Sequence, residues 1–301
     1  MKKIRLTYEQ QKKINGIIFL LPFLIGFLLF FLIPIITTIV FSLNIVGVAD
    51  EGGRSLTWNG FKNYYDLFFV ELASDNQTQI YRMFYEEFRN IIINTPLIVI
   101  FSLFAAILLN RKFKGQGIVR VIFFLPIVLG LNIVVNLMTM SQGSSYIDAR
   151  TSGVTVFSSD MLQNVFLNAG LGQGMVTFLA SSVSRIFTIM AQSGVQILIY
   201  LAGLQSINPS LYEVADIEGA NQYETFWKIT LPLIAPLMVF VAIYTVVDMF
   251  LASSLTNEIY TFTFIKNKIG IGAALSVCYL VFVLLIVGVI WLLAQWKVMK
   301  R

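Results

Sequence analysis

The side chains that ordinarily carry chemistry are scarce in this chain. Its 301 residues include no His and one Cys, Cys278, set in an apolar run. A zinc site, a His-based catalytic triad and a structural disulfide within the chain are therefore excluded. No Gly-x-x-x-x-Gly-Lys-Ser/Thr run occurs, so the chain carries no P-loop. Four acids, Glu213, Asp216, Glu218 and Glu224, stand close together beside Tyr223, Phe226 and Trp227. An apolar cluster ringed by charge suits docking rather than catalysis.

The local signals in this stretch are dense. Ser210 and Glu213, just after Pro209, have the spacing of a capping box, so a helix is expected to start there. It should run through Leu211, Val214, Ala215 and Ile217. Gly219 then stops it, because glycine tolerates the positive φ of a helix C-cap. Asn221, with Glu224 three residues on, restarts a helix. Tyr223, Phe226, Trp227 and Ile229 follow at helical spacing. The expectation is helix, sharp turn, helix. A plain connector would be shorter.

The segments that hold this loop are apolar. Of all residues, 57% are apolar and 12% charged, against roughly 45–50% and about 25% in a soluble domain. Charge-free windows cover 14–49, 90–110, 121–147, 161–184, 186–212, 229–247 and 269–296. A helix needs roughly 20 apolar residues to cross a hydrocarbon core about 30 Å thick. Barrel strands would alternate polar and apolar residues over about ten positions. Runs such as 17–31 do not alternate. The fold class is all-α integral membrane.

Window 161–184 is rich in amides and glycine, including Gln163, Asn164, Asn168 and Gln173. It is read as short helices outside the bilayer or dipping into it. Six transmembrane helices remain, at about 17–43, 90–110, 118–140, 186–207, 229–251 and 271–296. They form a single domain over 14–301, after a cytoplasmic segment 1–13. The run following residue 13 is too long for a signal peptide and lacks a small-residue cleavage site, so it is read as an uncleaved span. Both termini and loop 208–228 are placed in the cytoplasm, with extracytoplasmic loops at 44–89 and 141–185. On this topology the cytoplasmic segments hold 13 Lys and Arg in 49 residues, and the outer ones 8 in 112. That is the bias of the positive-inside rule. It accounts for the net charge of +5 without nucleic acid. Trp58, Phe61, Tyr64 and Tyr65 in the first outer loop are either an interfacial belt or a docking surface for an outside partner.

The stretch Glu213-Val214-Ala215, three residues, Gly219-Ala220, then Phe226, Ile229 and Pro232 closely resembles the EAA motif of permease subunits in binding-protein-dependent ABC importers. Spacing is kept throughout; Val214 replaces the first Ala. Further stretches are similar to maltose- and glycerol-phosphate-type permeases. These are Leu20-Leu21-Pro22 with Pro34 and Ser42, Trp58 to Tyr64, Asn94-Thr95, Arg120-Val-Ile-Phe-Phe-Leu-Pro126 and Gly203-Leu-Gln-Ser-Ile207. The pattern resembles the maltose-type first permease rather than its smaller partner.

The resemblance implies a permease in the bacterial cytoplasmic membrane, surrounded by lipid and paired with a second homologous permease as a heterodimer. Two ABC ATPases would sit beneath them, and an extracytoplasmic binding protein would deliver solute. The permease itself would not be an enzyme and would bind no cofactor; ATP and Mg would belong to the ATPases. It further implies coupling roles for Glu213, Ala215, Asp216, Gly219, Ala220, Phe226 and Ile229.

Polar residues within hydrocarbon should face a cavity or another helix. Asn132, Asn136, Gln192, Gln196, Tyr244, Asp248 and Tyr279 are the candidates for a solute path. Asn132 with Asn136, and Gln192 with Gln196, are each four apart and expected to share a helix face. Packing glue between helices is the plainer role for any one of them. No Arg or Lys cluster lies within the expected spans, which favours a neutral or weakly charged carbohydrate. The alternative class is an ion-gradient-driven secondary transporter of a small polar solute. It would require buried carboxylates at mid-bilayer and inverted repeats. Asp248 is the sole carboxylate near the membrane outside the loops, and no repeat is visible.

Overall fold

The first apolar run folds as one rod. In the computed structural model, which describes residues 8–48, 53–73, 78–111, 117–118 and 172–297, it is helical from Tyr8 to Ser42. Helix α1 (Tyr8–Phe27) passes through a π-helical turn (Leu28–Leu32) into α2 (Ile33–Ser42). Pro22 lies inside α1 without ending it. Pro34 stands second in α2, directly after the wide turn, where the Ile33 N–H donates to the Leu28 carbonyl. A proline lacks a donor and crowds the carbonyl four residues back. A turn with an extra residue relieves both constraints. The same arrangement recurs at Phe226–Thr230, just before Pro232.

The remaining elements follow in order. They are β1 (Asn44–Val48), β2 (Arg54–Trp58), α3 (Lys62–Phe69), α4 (Ile80–Asn110), α5 (Gln173–Gln192), α6 (Gly194–Ser206), α7 (Ser210–Ile217), α8 (Gln222–Thr225), α9 (Leu231–Leu251), α10 (Ser254–Tyr260) and α11 (Ile269–Lys297). Among the described residues, four helical stretches are long and apolar enough to cross a membrane: 15–42, 80–110, 222–251 and 269–295. A fifth results if 173–190 and 194–206, bent by 49°, form one broken span. The expected third span, 118–140, lies outside the described residues apart from its first.

The chain divides into two units, 1–83 with 257–282 and 84–256 with 283–301. In the first, β1 and β2 pair antiparallel from Asn44↔Trp58 to Val48↔Arg54. Buried Asn63 of α3 donates through Nδ2 to the Ser42 carbonyl at 2.8 Å and the Asn44 carbonyl at 3.0 Å. The neighbouring Tyr64 hydroxyl bonds Ser42 Oγ at 2.8 Å. The pair Asn63-Tyr64 thus pins the small cap to the end of the first rod. Asn63→Ala orphans two carbonyls and should cost about 1–3 kcal/mol, measurable as a lowered unfolding midpoint of the purified protein. Lys266 Nζ ties the returning chain to the Leu72 carbonyl at 3.2 Å, and Lys268 pairs with Glu71.

In the second unit the core is built at helical spacing. Val99, Leu103, Ala106 and Leu109 of α4 meet Ile197, Tyr200, Leu201 and Leu204 of α6 and Ile234 and Val241 of α9. Gly203 lets α6 approach α9 closely: a Cβ there would lie 2.3 Å from Leu237 Cδ2. Two buried atoms in this core, Gln196 Oε1 and Tyr200 OH, have no hydrogen-bond partner among the described residues.

Several features differ from expectation: the β1–β2 pair departs from an all-α chain, α4 begins at Ile80 rather than 90 and so runs into the expected loop 44–89, and window 161–184 gives up its second half to a long helix. The span expected to begin at 186 starts inside α5, which runs unbroken from Gln173 to Gln192. A lone charge such as Arg185 does not end a helix; backbone geometry does. The break falls at Ser193-Gly194, where Ser193 Oγ donates to the Ile189 carbonyl of the preceding turn. Serine back-bonding and Ser/Gly pairs are recognised causes of helix kinks.

Candidate functional site

The loop after α6 folds as helix, turn, helix, though its first cap is not the expected one. Ser210 is the first residue of α7, and Pro209 in helical conformation precedes it. The Ser210 N–H donates to Asn208 Oδ1 at 3.1 Å. A capping serine needs an extended backbone so that its side chain can turn onto the third helical N–H. Pro209 extends the helical conformation one residue upstream, and Asn208 takes the role.

The turn is as the sequence dictates. Gly219 has φ +76°. Its N–H donates to the Asp216 carbonyl at 3.1 Å, and the Ala220 N–H reaches the Ala215 carbonyl at 2.9 Å. These are the two bonds of a Schellman motif. The second capping box is complete: Glu224 N–H donates to Asn221 Oδ1 at 2.8 Å and Asn221 N–H to Glu224 Oε2 at 3.2 Å. The Asn221 N–H, and then the Lys228 ammonium, hold the Glu224 carboxyl below the usual carboxylate range.

Two contacts fasten the motif to the helices behind it. Arg111, at the end of α4, donates from Nη2 to Gln222 Oε1 at 3.2 Å. The Tyr212 hydroxyl bonds Thr230 Oγ1 at 3.2 Å. Of the expected coupling residues, Ala215 is buried, Ala220, Phe226 and Ile229 are half-buried, and Glu213, Asp216 and Gly219 are exposed. Apolar side chains cover the outward tip: Ile217 is 84% exposed, Tyr223 70%, Val214 57% and Trp227 51%. Trp227 packs against Tyr223 with centroids 6.1 Å apart, and edge-on against Phe226 at 5.4 Å. Ile217 and Val214 add a part of this surface that the aromatic pattern alone did not reveal. Ala215→Leu would overfill this buried position, at a cost of about 1–3 kcal/mol. The check is a lowered unfolding midpoint together with reduced solute uptake.

The expected pathway residues separate. Gln192 ends α5 and Gln196 lies in α6, with the break at Ser193-Gly194 between them, so the two do not belong to one continuous helix. Gln196 is buried and donates through Nε2 to Thr245 Oγ1 at 3.3 Å, which is a packing role. Tyr244 and Asp248 lie half-buried one turn apart on α9, and Tyr279 is half-buried on α11. Asn132 and Asn136 lie outside the described residues.

Gln192 lines a cavity of about 450 Å³ with residues that were not among the expected solute-path candidates. These include Arg89, Asn90 and Asn94 of α4 and Ser181, Arg185 and Thr188 of α5. Arg185 Nη2 donates to Asn94 Oδ1 at 3.3 Å. Arg89 and Arg185 each lie one residue outside the expected spans 90–110 and 186–207, so the absence of an Arg cluster within those spans does not exclude this cavity. Each guanidinium bounds different charge-free windows, so counting windows hid that both line one cavity. The signal was in the spacing: 90 with 94, and 181, 185, 188 and 192, each mark one helix face.

Residues 80–297, which contain both the helix-turn-helix and this cavity, match the binding-protein-dependent transport system inner membrane component family. The chain belongs to that family. It is a multi-pass membrane permease of an ABC importer, and ATP hydrolysis falls to partner subunits. The chain is similar to the probable ABC transporter permease protein YesP of Bacillus subtilis strain 168, at 26% identity over 97% of this chain and 92% of the relative. The arabinooligosaccharides transport system permease protein AraP of the same organism is 26% identical over 91% of this chain and 87% of the relative. The trehalose/maltose transport system permease protein MalF of Thermococcus litoralis is 28% identical over 81% of this chain and 75% of the relative. A solved bacterial alginate ABC transporter, in complex with an alginate pentasaccharide-bound periplasmic protein, has a chain of the same fold. Its TM-score is 0.64, at 19% identity and 97% coverage of both chains.

Proposed function

We propose that this permease imports a carbohydrate delivered by an extracytoplasmic binding protein, and that residues 208–228 transmit the ATPase's motion to the spans. The observation that carries the coupling role is the exposed apolar tip, Ile217, Tyr223 and Trp227, on a rigidly capped turn. Water-facing apolar groups of this size call for a partner surface. The motif is tied to α4 through Arg111 and to the start of α9 through Thr230, so movement of the tip is passed to two spans. A carbohydrate is supported by relatives named for arabinooligosaccharide and trehalose/maltose transport.

In this reading six spans cross the bacterial cytoplasmic membrane with both termini and the motif inside. A second homologous permease completes the pathway, and two ATPases hold ATP and Mg. Glu213, Ala215, Asp216, Gly219, Ala220, Phe226 and Ile229 act in coupling. ATP drives the switch only through states that it binds differently.

The test is purification of the assembled complex and measurement of ATP hydrolysis with and without the binding protein and sugar. Copurification of an ATPase stimulated by loaded binding protein is expected. A preparation with no ATPase would overturn the reading. Ile217→Cys in a Cys278→Ala background should react with an impermeant thiol reagent only when the cytoplasmic face is open. Labelling from the exterior of intact cells would overturn the topology.

A further inference from the structure

The cavity between α4 and α5 carries two positive charges and amide and hydroxyl groups, and its described lining contains no carboxylate. Its volume, about 450 Å³, falls within the roughly 300–1,000 Å³ of small-molecule sites. Arg89, Asn90 and Asn94 present one wall, and Ser181, Arg185, Thr188 and Gln192 the other. The cavity residues 89–94 lie about 24 to 32 Å from the Asn110 end of α4, at 1.5 Å per residue. That end carries Arg111 and its bond to the helix-turn-helix. The cavity and the motif are therefore separated by about one hydrocarbon thickness, roughly 30 Å.

We propose that this cavity is an outer-mouth subsite for an acidic saccharide, with the acid group held by Arg89 and Arg185 and the hydroxyls by the surrounding amides and Ser181. The site rests on the importer reading, which places this end of α4 outside. Guanidinium matches carboxylate and phosphate in a planar, two-pronged geometry that a neutral sugar does not use. Two such groups facing one cavity, with no carboxylate among its described lining residues, leave a charge for the ligand to supply. The Arg185–Asn94 bond already orients one fork toward the opposite wall. Amides and hydroxyls alone would serve any sugar; the paired guanidiniums select for charge.

The test measures binding to the purified permease–ATPase complex by equilibrium dialysis. Digalacturonate and galactose 6-phosphate are compared with the neutral disaccharide galactobiose. The complex should bind one of the acidic sugars about 10- to 100-fold more tightly than galactobiose, the value of a charge-assisted bond. Whichever acid is preferred identifies the acid group. Asn94→Asp, nearly isosteric, places a carboxylate beside Arg185 and should erase the preference. Arg185→Gln should do the same; because Arg185 is exposed in the chain, the unfolding midpoint should not move. Equal binding of neutral and acidic sugars by the unaltered complex would overturn the proposal. So would a preference that survives both substitutions. Absence of an ATPase from the preparation is a separate result and counts against the importer reading instead.

Discussion

Gly219→Pro is expected to abolish solute uptake while the assembled complex still binds ATP. Gly219 sits at φ +76°, and proline is locked near −65°. The substitution also removes the N–H that donates to the Asp216 carbonyl. The chain cannot turn at this point, so α7 and α8 change their mutual angle and the exposed side chains of the tip, Ile217 and Tyr223 among them, are displaced. Coupling free energies between sites typically correspond to about 5- to 150-fold in affinity, and loss of the turn should fall toward the upper end. Gly219→Ala is the graded control: left-handed backbone costs a non-glycine residue about 1–2 kcal/mol, so uptake should fall only in part. ATP-driven uptake in proteoliposomes, set beside nucleotide binding, reads both. Full uptake by the proline variant would remove the turn from the mechanism.

The second large effect concerns the tip. Ile217→Asp combined with Trp227→Ala should detach the ATPase. Buried aromatic anchors at interfaces are often worth 2 kcal/mol or more each, about a thirtyfold loss of affinity for one. A carboxylate at Ile217 adds desolvation to that loss. The permease itself should be nearly indifferent, because substitutions at exposed positions usually change stability by about 0.5 kcal/mol or less. The expected outcome is a permease of unchanged thermal midpoint that no longer retains its ATPase on gel filtration. Retention at normal stoichiometry would show that the ATPase grips elsewhere.

The parts of this site that were legible in the sequence are those set by one residue's backbone preference. Gly219 and the Asn221/Glu224 box are local, and both stand as read. Ser210 looked equally local and was not. Its capping role depended on its own backbone being extended, and the helical Pro209 before it removed that condition. The break at Ser193 was missed because apolar counting follows charge, and no charge marks it. The cavity that Arg89 and Arg185 both line was beyond reach of window counting for a different reason. It lies between faces of two helices far apart in sequence, joined by the Arg185–Asn94 bond, and only their packing brings it about. Tyr200 and Gln196 show the limit from the other side: polarity within a span drew attention to Gln196, yet its amide serves a threonine in the core.

The widened turn at Phe226–Thr230 throws the helix out of phase with itself. The ring closed by the Leu231 N–H on the Phe226 carbonyl takes in one more residue than an α turn does. One residue is about 100° of rotation. The stripe bearing Tyr223 and Trp227 therefore does not run on into the stripe bearing Ile234 and Val241. Exposed tip side chains and packing side chains occupy different azimuths on what looks like a single shaft, so either set can be altered without re-timing the other. Excising a single residue from this ring would restore ordinary winding and swing the exposed stripe by about a quarter revolution.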